Sequence, residues 1–315
     1  MKNRKRQPIA SSTYHTWWSC LYRWLLPKLG DLPLSDVDND PVRELVSEMS
    51  ASGKLGAKSI LEYIKVVKAV VASAKDAKTR KPLFPVVWDD EYLDLPVVAK
   101  KDQNRPAFDG KIVTAVIADA KRRWAQMLFV LSAATGVRIG ETLGLEIQHL
   151  VDDCRILTIR QKVRHCKVEP YLKTDNAYRD VDVHPDVAKM LKAFIGNRTS
   201  GFVFCTRNAK PLSDSDILNR HLHPALAKLG QKQAGHHAFR RFRVSWLRRQ
   251  RCPADLRHSW LGHAGRSVED DYDRLREDVE FRQHVVKEIG LGFELPTEEL
   301  RCKVVTETGD LYRNF

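Results

Sequence analysis

The sequence predicts a mainly α-helical protein with a small antiparallel β-sheet, arranged as a helical N-terminal domain followed by a mixed α/β domain. Apolar residues recur at helical spacing from position 11 to about position 77. Four prolines lie between positions 79 and 107, where they disfavour a continuous helix. Beyond them, two short stretches of alternating apolar and polar residues interrupt further helical periodicity.

The first domain is assigned to residues 1–96 and is predicted to be all helical. Trp17, Leu21 and Leu25 recur at four-residue spacing, which places them on one face of a helix. The same kind of spacing returns between positions 60 and 71. Residues 97–107, which end the proline-rich stretch, are predicted to form an interdomain linker.

The second domain is assigned to residues 108–290 and is predicted to open with helical structure from position 109 to 134. Apolar and polar residues then alternate over 155–160 and 178–183, and the turn-forming segment 174–176 precedes the second stretch. The two stretches are expected to pair as an antiparallel sheet. Three later stretches are predicted to be helical: 185–196, 213–229 and 237–249.

The composition favours a soluble protein with an anionic partner. Lysine and arginine number 53 against 40 aspartates and glutamates, so the 315-residue chain has a formal net charge of +13. Such an excess is common in proteins that neutralise nucleic-acid phosphates, although a basic solvated surface has the same composition. No apolar run approaches the roughly 18 residues needed to span a bilayer, and no apolar stretch follows the basic start of the chain as it would in a signal peptide.

Two segments in the first half of the second domain carry candidate chemistry. Arg138 ends a T-G-x-R segment, and Glu141 lies three residues later on the expected next helix. Lys173 begins the segment K-T-x-x-A-x-R-x-V and is expected at the tip of the predicted hairpin. Taken singly, Arg138 would be read as a surface ion pair and Lys173 as a solvated turn residue.

The remaining candidates lie in the last third of the chain. His237 and Arg240 form an H-x-x-R segment and share one helix face, from which both could hydrogen-bond one anion. His263 ends an L-G-H segment, and Tyr272 follows nine residues later. Each of these also has a plain structural interpretation, as a capping histidine or a half-buried tyrosine.

In this order the segments resemble the tyrosine recombinases, the phage integrase family of site-specific DNA recombinases. The 23 residues from Arg240 to His263 and the nine from His263 to Tyr272 are similar to the spacing usual in that family. The resemblance covers roughly positions 107–280, which makes the second domain the expected catalytic domain. The helical domain before it is similar in size and position to the family's core-binding domain.

The resemblance implies six catalytic residues: Tyr272 as the nucleophile, Arg138 and Arg240 as ligands of the scissile phosphate, Lys173 as the general acid, and His237 and His263 as further residues of the pocket. Glu141 is expected to hold Arg138 by an ion pair. Two guanidinium groups are suited to this chemistry because they stay charged and bind phosphate oxygens in a bidentate manner.

The implied reaction cuts and rejoins DNA strands through a covalent 3′-phosphotyrosine intermediate, without a metal, ATP or any other cofactor. The phosphotyrosine bond conserves the energy of the broken phosphodiester. No acidic cluster with metal-ligand spacing accompanies the basic residues, which disfavours a metal-dependent transposase or nuclease. Two alternatives stay open: a DNA-relaxing enzyme like the type IB topoisomerases, and a DNA-binding protein of the same fold that does not cut.

The implied partner is double-stranded DNA, with the two domains expected to close on it as a clamp. The family resemblance further implies a free monomer, a homotetramer assembled on paired sites, and room for an accessory DNA-bending protein. Residues 291–315 are expected to form a tail that links subunits. The expected localisation is the cytoplasm, in association with a bacterial or phage-like nucleoid and with no membrane partner.

Overall fold

The computed structural model describes residues 11–99, 106–172, 174–263 and 277–296. The chain divides into two compact units, residues 1–104 and residues 105–315. Within the described ranges, no helix is long and apolar enough to cross a membrane. The chain is mainly helical and contains small antiparallel sheets, which confirms the predicted fold class.

The N-terminal unit is helical, as its apolar spacing predicts. Its helices are α1 (Ser11–Cys20), which continues through a π-helical turn (Leu21–Leu25) into α2 (Leu26–Leu29), then α3 (Asn39–Ala51) and α4 (Ala57–Val71). Leu45 and Met49 of α3 pack with Ile60 and Ile64 of α4 in a closed apolar core. The proline-containing chain that follows has no helix, but Leu93 returns to this core and is fully buried.

The helices of the C-terminal unit are α5 (Gly110–Asp119), α6 (Arg123–Thr135), α7 (Ile139–Leu143), α8 (Pro185–Ile195), α9 (Asp214–Ile217), α10 (His223–Lys228), α11 (His237–Arg249), α12 (Ala254–Leu261) and α13 (Val279–Ile289). A π-helical turn, Leu218–Leu222, joins α9 to α10, so the helix predicted over 213–229 is present with a local irregularity. The helices predicted at 185–196 and 237–249 are confirmed.

The helical stretch predicted from 109 to 134 is two helices. Ala120 takes an extended conformation at the end of α5, with ψ of 106°, and the chain turns there before α6 begins. Every residue of α6 from 125 to 135 is buried, which makes α6 the central helix of the unit. The apolar spacing predicts one continuous helix because it does not reveal the turn between α5 and α6.

The predicted antiparallel sheet is present and contains a third strand. Strands β1 (Leu150–Val151), β2 (Ile156–Ile159) and β5 (Arg179–Asp182) pair in the order β1-β2-β5, and Leu157 lies opposite Val181. Between β2 and β5 the chain forms a second sheet from β3 (Lys162–Arg164) and β4 (Lys167–Glu169). The turn of that hairpin is at His165 and Cys166, both with positive φ, so the connection between the two predicted strands contains a second hairpin and is not a single turn. Lys173, predicted at the tip of a single hairpin, lies outside the described residues.

The start of the predicted tail packs on its own unit. Leu291, Phe293 and Leu295 lie against the apolar core of the C-terminal unit, and Gly292, with φ of 78°, lies directly over the ring of Trp246. These residues are therefore engaged within their own chain. Residues 297–315, the rest of the predicted intersubunit tail, lie outside the described residues.

Candidate active site

Arg138 is placed by a glycine that ends the central helix. Gly136 follows α6 with φ of 69°, a left-handed conformation that favours glycine, and an added Cβ there would lie 3.2 Å from Cβ of Arg243 and 3.3 Å from Leu261. The turn at Gly136 directs the chain into α7, with Arg138 as the residue before the helix. The side chain of Arg138 is 39% exposed, so its guanidinium group is open to a ligand.

Glu141 holds Arg138, as the sequence predicts. Nη1 of Arg138 donates to Oε1 of Glu141 over 2.9 Å, and the backbone N–H of Arg138 donates to Oε2 over 3.2 Å. The carboxylate is 4% exposed. Burial raises the pKa of Glu141, but the charges and hydrogen bonds of Arg179 and Arg138 outweigh burial, and the net pKa lies below its usual value.

Arg179 is a site residue that carries no predicted role, although it is the arginine of the segment that begins at Lys173. Its Nη2 donates to Oε2 of Glu141 over 2.7 Å, and its Nε donates to the carbonyl of Trp260 over 2.7 Å. The side chain is 3% exposed. The sequence signal that could have identified Arg179 is a charged residue at an inward-facing position of a β-strand, because such a residue requires a buried partner.

Arg240 lies on α11 and is buried, with 5% exposure. Nη1 donates to the carbonyl of Gly136 over 2.9 Å, and Nη2 donates to the carbonyl of Leu261 and to Nε2 of His263, the latter over 3.0 Å. Burial and the nearby charges of Arg138 and Arg179 lower the pKa of Arg240 to about 10, so it remains protonated at neutral pH. The guanidinium plane is therefore fixed by three acceptors before any ligand arrives.

The end of α12 supplies two of the acceptors that orient these arginines. The carbonyl of Trp260 binds Arg179, and the carbonyl of Leu261 binds Arg240. Gly262 ends the helix with φ of 62°, and an added Cβ would lie 3.1 Å from Nη1 of Arg179. The glycine of the L-G-H segment is thus required both by its backbone conformation and by the arginine packed on it.

His237 and His263 complete the cluster, and both are solvent-exposed. Burial and then the charge of Arg240 are the largest of the effects that lower the pKa of each imidazole, and Arg138 also contributes to both. Both rings are therefore neutral at pH 7. Because an arginine can only donate, Nε2 of His263 accepts the bond from Arg240, and the proton of the neutral ring lies on Nδ1.

The structure thus brings four predicted residues, Arg138, Arg240, His237 and His263, into one cationic cluster, with Glu141 and Arg179 behind it. Lys173 and Tyr272, the predicted general acid and nucleophile, lie outside the described residues. Arg241, the neighbour of Arg240, donates from Nε to the carbonyl of Pro106 over 2.8 Å. The cluster can bind an oxyanion, and its neutral imidazoles can exchange protons with a bound group.

A family model described as the phage integrase family matches residues 110–278, more than half of the chain. The chain belongs to the phage integrase family. The members of this family are tyrosine-type site-specific recombinases, so the expected enzyme class is confirmed. The matched range begins at α5 and ends just before α13, and it contains all seven predicted site residues.

Solved structures of other family members have a similar fold. The integrase of the Tn1549 transposon, in complex with circular intermediate DNA, is 17% identical with a TM-score of 0.64, over 85% of this chain and 94% of the other. Phage lambda integrase, as a dimer bound to a COC′ core site, is 17% identical with a TM-score of 0.60, over 84% and 91%. The XerH recombinase, bound to a palindromic difH substrate, is 15% identical with a TM-score of 0.55, over 93% and 76%. A comparison with curated protein sequences found no match.

Proposed function

We propose that the chain is a site-specific recombinase that cuts and rejoins duplex DNA through a covalent 3′-phosphotyrosine bond, with Tyr272 as the nucleophile. The observation that carries the proposal is the oriented cluster of Arg138, Arg240, His237 and His263. Arg240 is held by Gly136, Leu261 and His263, and Arg138 is held by Glu141. A preorganised pair of guanidinium groups stabilises charge that develops on phosphate oxygens without reorganisation during the reaction.

In the proposed first step, the Oη atom of Tyr272 attacks the scissile phosphorus. An O–P bond to tyrosine forms and the P–O5′ bond breaks, which leaves a 3′-phosphotyrosine and a free 5′-hydroxyl end. Lys173 donates the proton that the departing O5′ requires. Rejoining is the reverse, with a 5′-hydroxyl of the same or another strand as the attacking group.

The histidines have distinct positions in this scheme. The lowered pKa of His237 keeps an imidazole nitrogen available to accept the proton of Tyr272. Nε2 of His263 already accepts from Arg240, so this ring has its Nδ1–H to donate to the phosphate. His237 lies one helical turn before Arg240, so its ring can bind the same phosphate. The ring of His263 is hydrogen-bonded to Arg240, and His263 follows α12, three residues beyond Trp260.

Duplex DNA is the partner that the charge and the family support. The net charge of +13 favours a polyanion, and the Tn1549 integrase, lambda integrase and XerH structures each contain DNA. We infer that the protein is a monomer when free and a homotetramer on paired DNA sites. If 6–10 phosphates are neutralised, the affinity for DNA should fall by about 10³–10⁵ between 50 and 200 mM salt.

The test is adduct formation on nicked suicide duplexes cut from the DNA that flanks the protein's own gene. A nick beside the cleavage point releases a short fragment, so rejoining is prevented and the covalent complex accumulates. The proposal predicts a protein–DNA band on denaturing gels for the wild type and none for Tyr272→Phe. A band for both proteins would contradict the role of Tyr272, and DNA binding without a band on any flanking duplex would favour a protein that binds and does not cut.

A further inference from the structure

One buried carboxylate outside the cationic cluster joins three elements of the C-terminal unit. Asp182 lies at the end of β5 and is 2% exposed. Its Oδ2 accepts a hydrogen bond from Nε1 of Trp260 over 2.7 Å and from Nε of Arg282 over 2.9 Å, while Nη2 of Arg282 reaches Oδ1 over 3.3 Å. Trp260 is 3% exposed and Arg282 is 7% exposed, so the whole group is removed from water.

The bond to Trp260 fixes the end of α12 that orients the arginines. The backbone carbonyl of Trp260 accepts from Arg179, and the next carbonyl, of Leu261, accepts from Arg240. Asp182 thus accepts from the side chain of Trp260, and the backbone carbonyl of the same residue accepts from Arg179. Since side chain and main chain of Trp260 are bound to residues of the same strand, the helix end cannot rotate or slide along β5 without breaking one of the two bonds.

The bond to Arg282 fixes a second helix. Arg282 is in the first turn of α13, where the backbone N–H of Arg282 also donates to the carbonyl of Asp278. Asp182 therefore joins α13 to the end of α12 that orients the arginines.

We propose that Asp182 is a positioning residue for the cleavage reaction, which fixes the end of α12 whose carbonyls orient Arg179 and Arg240. Asp182 does not touch the phosphate in this scheme. Arginines that are held in one geometry before the phosphate binds stabilise its developing charge without reorganisation during the reaction. The inference rests on the proposed function, because it assumes that the arginine cluster binds the scissile phosphate.

The chain offers a matched control two residues away on the same strand. Asp180 is also an aspartate of β5, but its side chain is 39% exposed and pairs with Arg160 over 2.8 Å. Asp182→Asn keeps the shape and one acceptor oxygen while it removes the charge that holds Arg282. Asp180→Asn makes the same chemical change where nothing connects to α12 or α13 in the described contacts.

The experiment measures two quantities for each variant on the nicked suicide duplex. The first is the single-turnover rate of adduct formation at saturating DNA, and the second is the Kd for the same duplex, measured for each variant combined with Tyr272→Phe. We expect Asp182→Asn to lower the rate at least tenfold with a Kd within about twofold of wild type, and Asp180→Asn to change neither. Trp260→Phe, which removes the indole N–H together with part of the ring system, should slow the reaction in the same direction, and the double variant Asp182→Asn with Trp260→Phe should be no slower than the slower single variant.

Several results would overturn the inference. A wild-type rate for both Asp182→Asn and Trp260→Phe would show that the bonds do not position the arginine cluster. A loss of DNA affinity that matches the loss of rate, or an equal effect of Asp180→Asn, would show a general loss of structure. If Asp182→Asn does not fold, Trp260→Phe and Arg282→Gln decide by the same comparison. Absence of a wild-type adduct would overturn the proposed function, and this inference with it, whereas a normal wild-type adduct with unaffected variants would overturn the inference alone.

Discussion

Nη2 of Arg240 donates a hydrogen bond to Nε2 of His263 over 3.0 Å. This bond requires a neutral imidazole, since a protonated ring has no acceptor atom. Burial and the charges of Arg240, Arg138, His258 and Arg179 lower the pKa of His263 from the ordinary value of 6.5. Arg240, the proposed ligand of the scissile phosphate, is therefore oriented by a group that loses its acceptor only under acidic conditions.

We expect His263 to titrate below pH 6.5 in the free protein. Because the folded pKa is depressed, the Arg240–His263 bond should be intact above that pH and lost as the pH falls through the lowered folded pKa. The imidazole resonance of His263, assigned with His263→Asn in the Tyr272→Phe protein, measures this directly by NMR. A midpoint at or above 6.5 would contradict the inferred tautomer and the acceptor role.

Arg240→Lys should lower the rate of adduct formation by about 10²–10³, because a lysine cannot reproduce the planar group that binds Gly136, Leu261 and His263 at once. Single-turnover cleavage at saturating DNA measures the effect. Arg248→Lys is the control, since Arg248 is an exposed arginine of the same helix. Equal rates for both variants would contradict the assignment of Arg240 to the phosphate.

Glu141→Gln should destabilise the protein by about 3–5 kcal/mol, since it leaves the buried Arg179 without its carboxylate partner. The lowered pKa of Glu141 means that its contribution to stability is present above the ordinary value of 4.5 and is lost as the pH falls through the folded pKa. Urea denaturation of both proteins at pH 7 and at acid pH measures this contribution. The difference in the free energy of unfolding between wild type and variant should be large at pH 7 and should shrink below pH 4.5, whereas a difference independent of pH would contradict the ion-pair account.

Lys173→Ala should be rescued by a chemical change in the substrate. A 5′-bridging phosphorothiolate has a sulfur leaving group that needs no proton, so a variant that lacks only the general acid should cleave it at a rate near that of wild type. Arg138→Ala should stay slow on the same substrate, because the charge on the phosphate oxygens is unchanged. Failure of the sulfur substrate to rescue Lys173→Ala would remove Lys173 from the role of general acid.

His236→Phe should stabilise the protein. His236 is 8% exposed between Phe129 and Phe239, and neither ring nitrogen has a hydrogen-bond partner among the described residues. Burial and the nearby His223 lower its pKa to about 3, so wild type should lose about 1.4 kcal/mol per pH unit from this group as the pH falls below 6.5. The melting temperature, measured between pH 7 and pH 5, should depend less on pH for the variant than for wild type. An equal pH dependence for both proteins would contradict the prediction.

The ordered motifs predicted local features of the cluster because each motif encodes a local geometry. Gly136 before Arg138 predicts a bend at a helix end, and the three-residue spacing of His237 and Arg240 predicts a shared face; both are present. The contacts of Arg179 and Asp182 were not predictable, because their partners, Glu141, Trp260 and Arg282, are distant in sequence and meet only in the fold. Local pattern likewise did not resolve the β3/β4 hairpin, whose three-residue strands are too short to show alternation.

The measurement that tests the central claim most directly is mass spectrometry of the trapped adduct after digestion with nuclease and trypsin. Cleavage after Arg266 and Arg274 releases residues 267–274, in which Tyr272 is the one tyrosine. We predict that this peptide carries the nucleotide mass, through a phosphodiester on the tyrosine oxygen. Nucleotide attached to any other peptide, with residues 267–274 recovered unmodified from the adduct, would contradict the account.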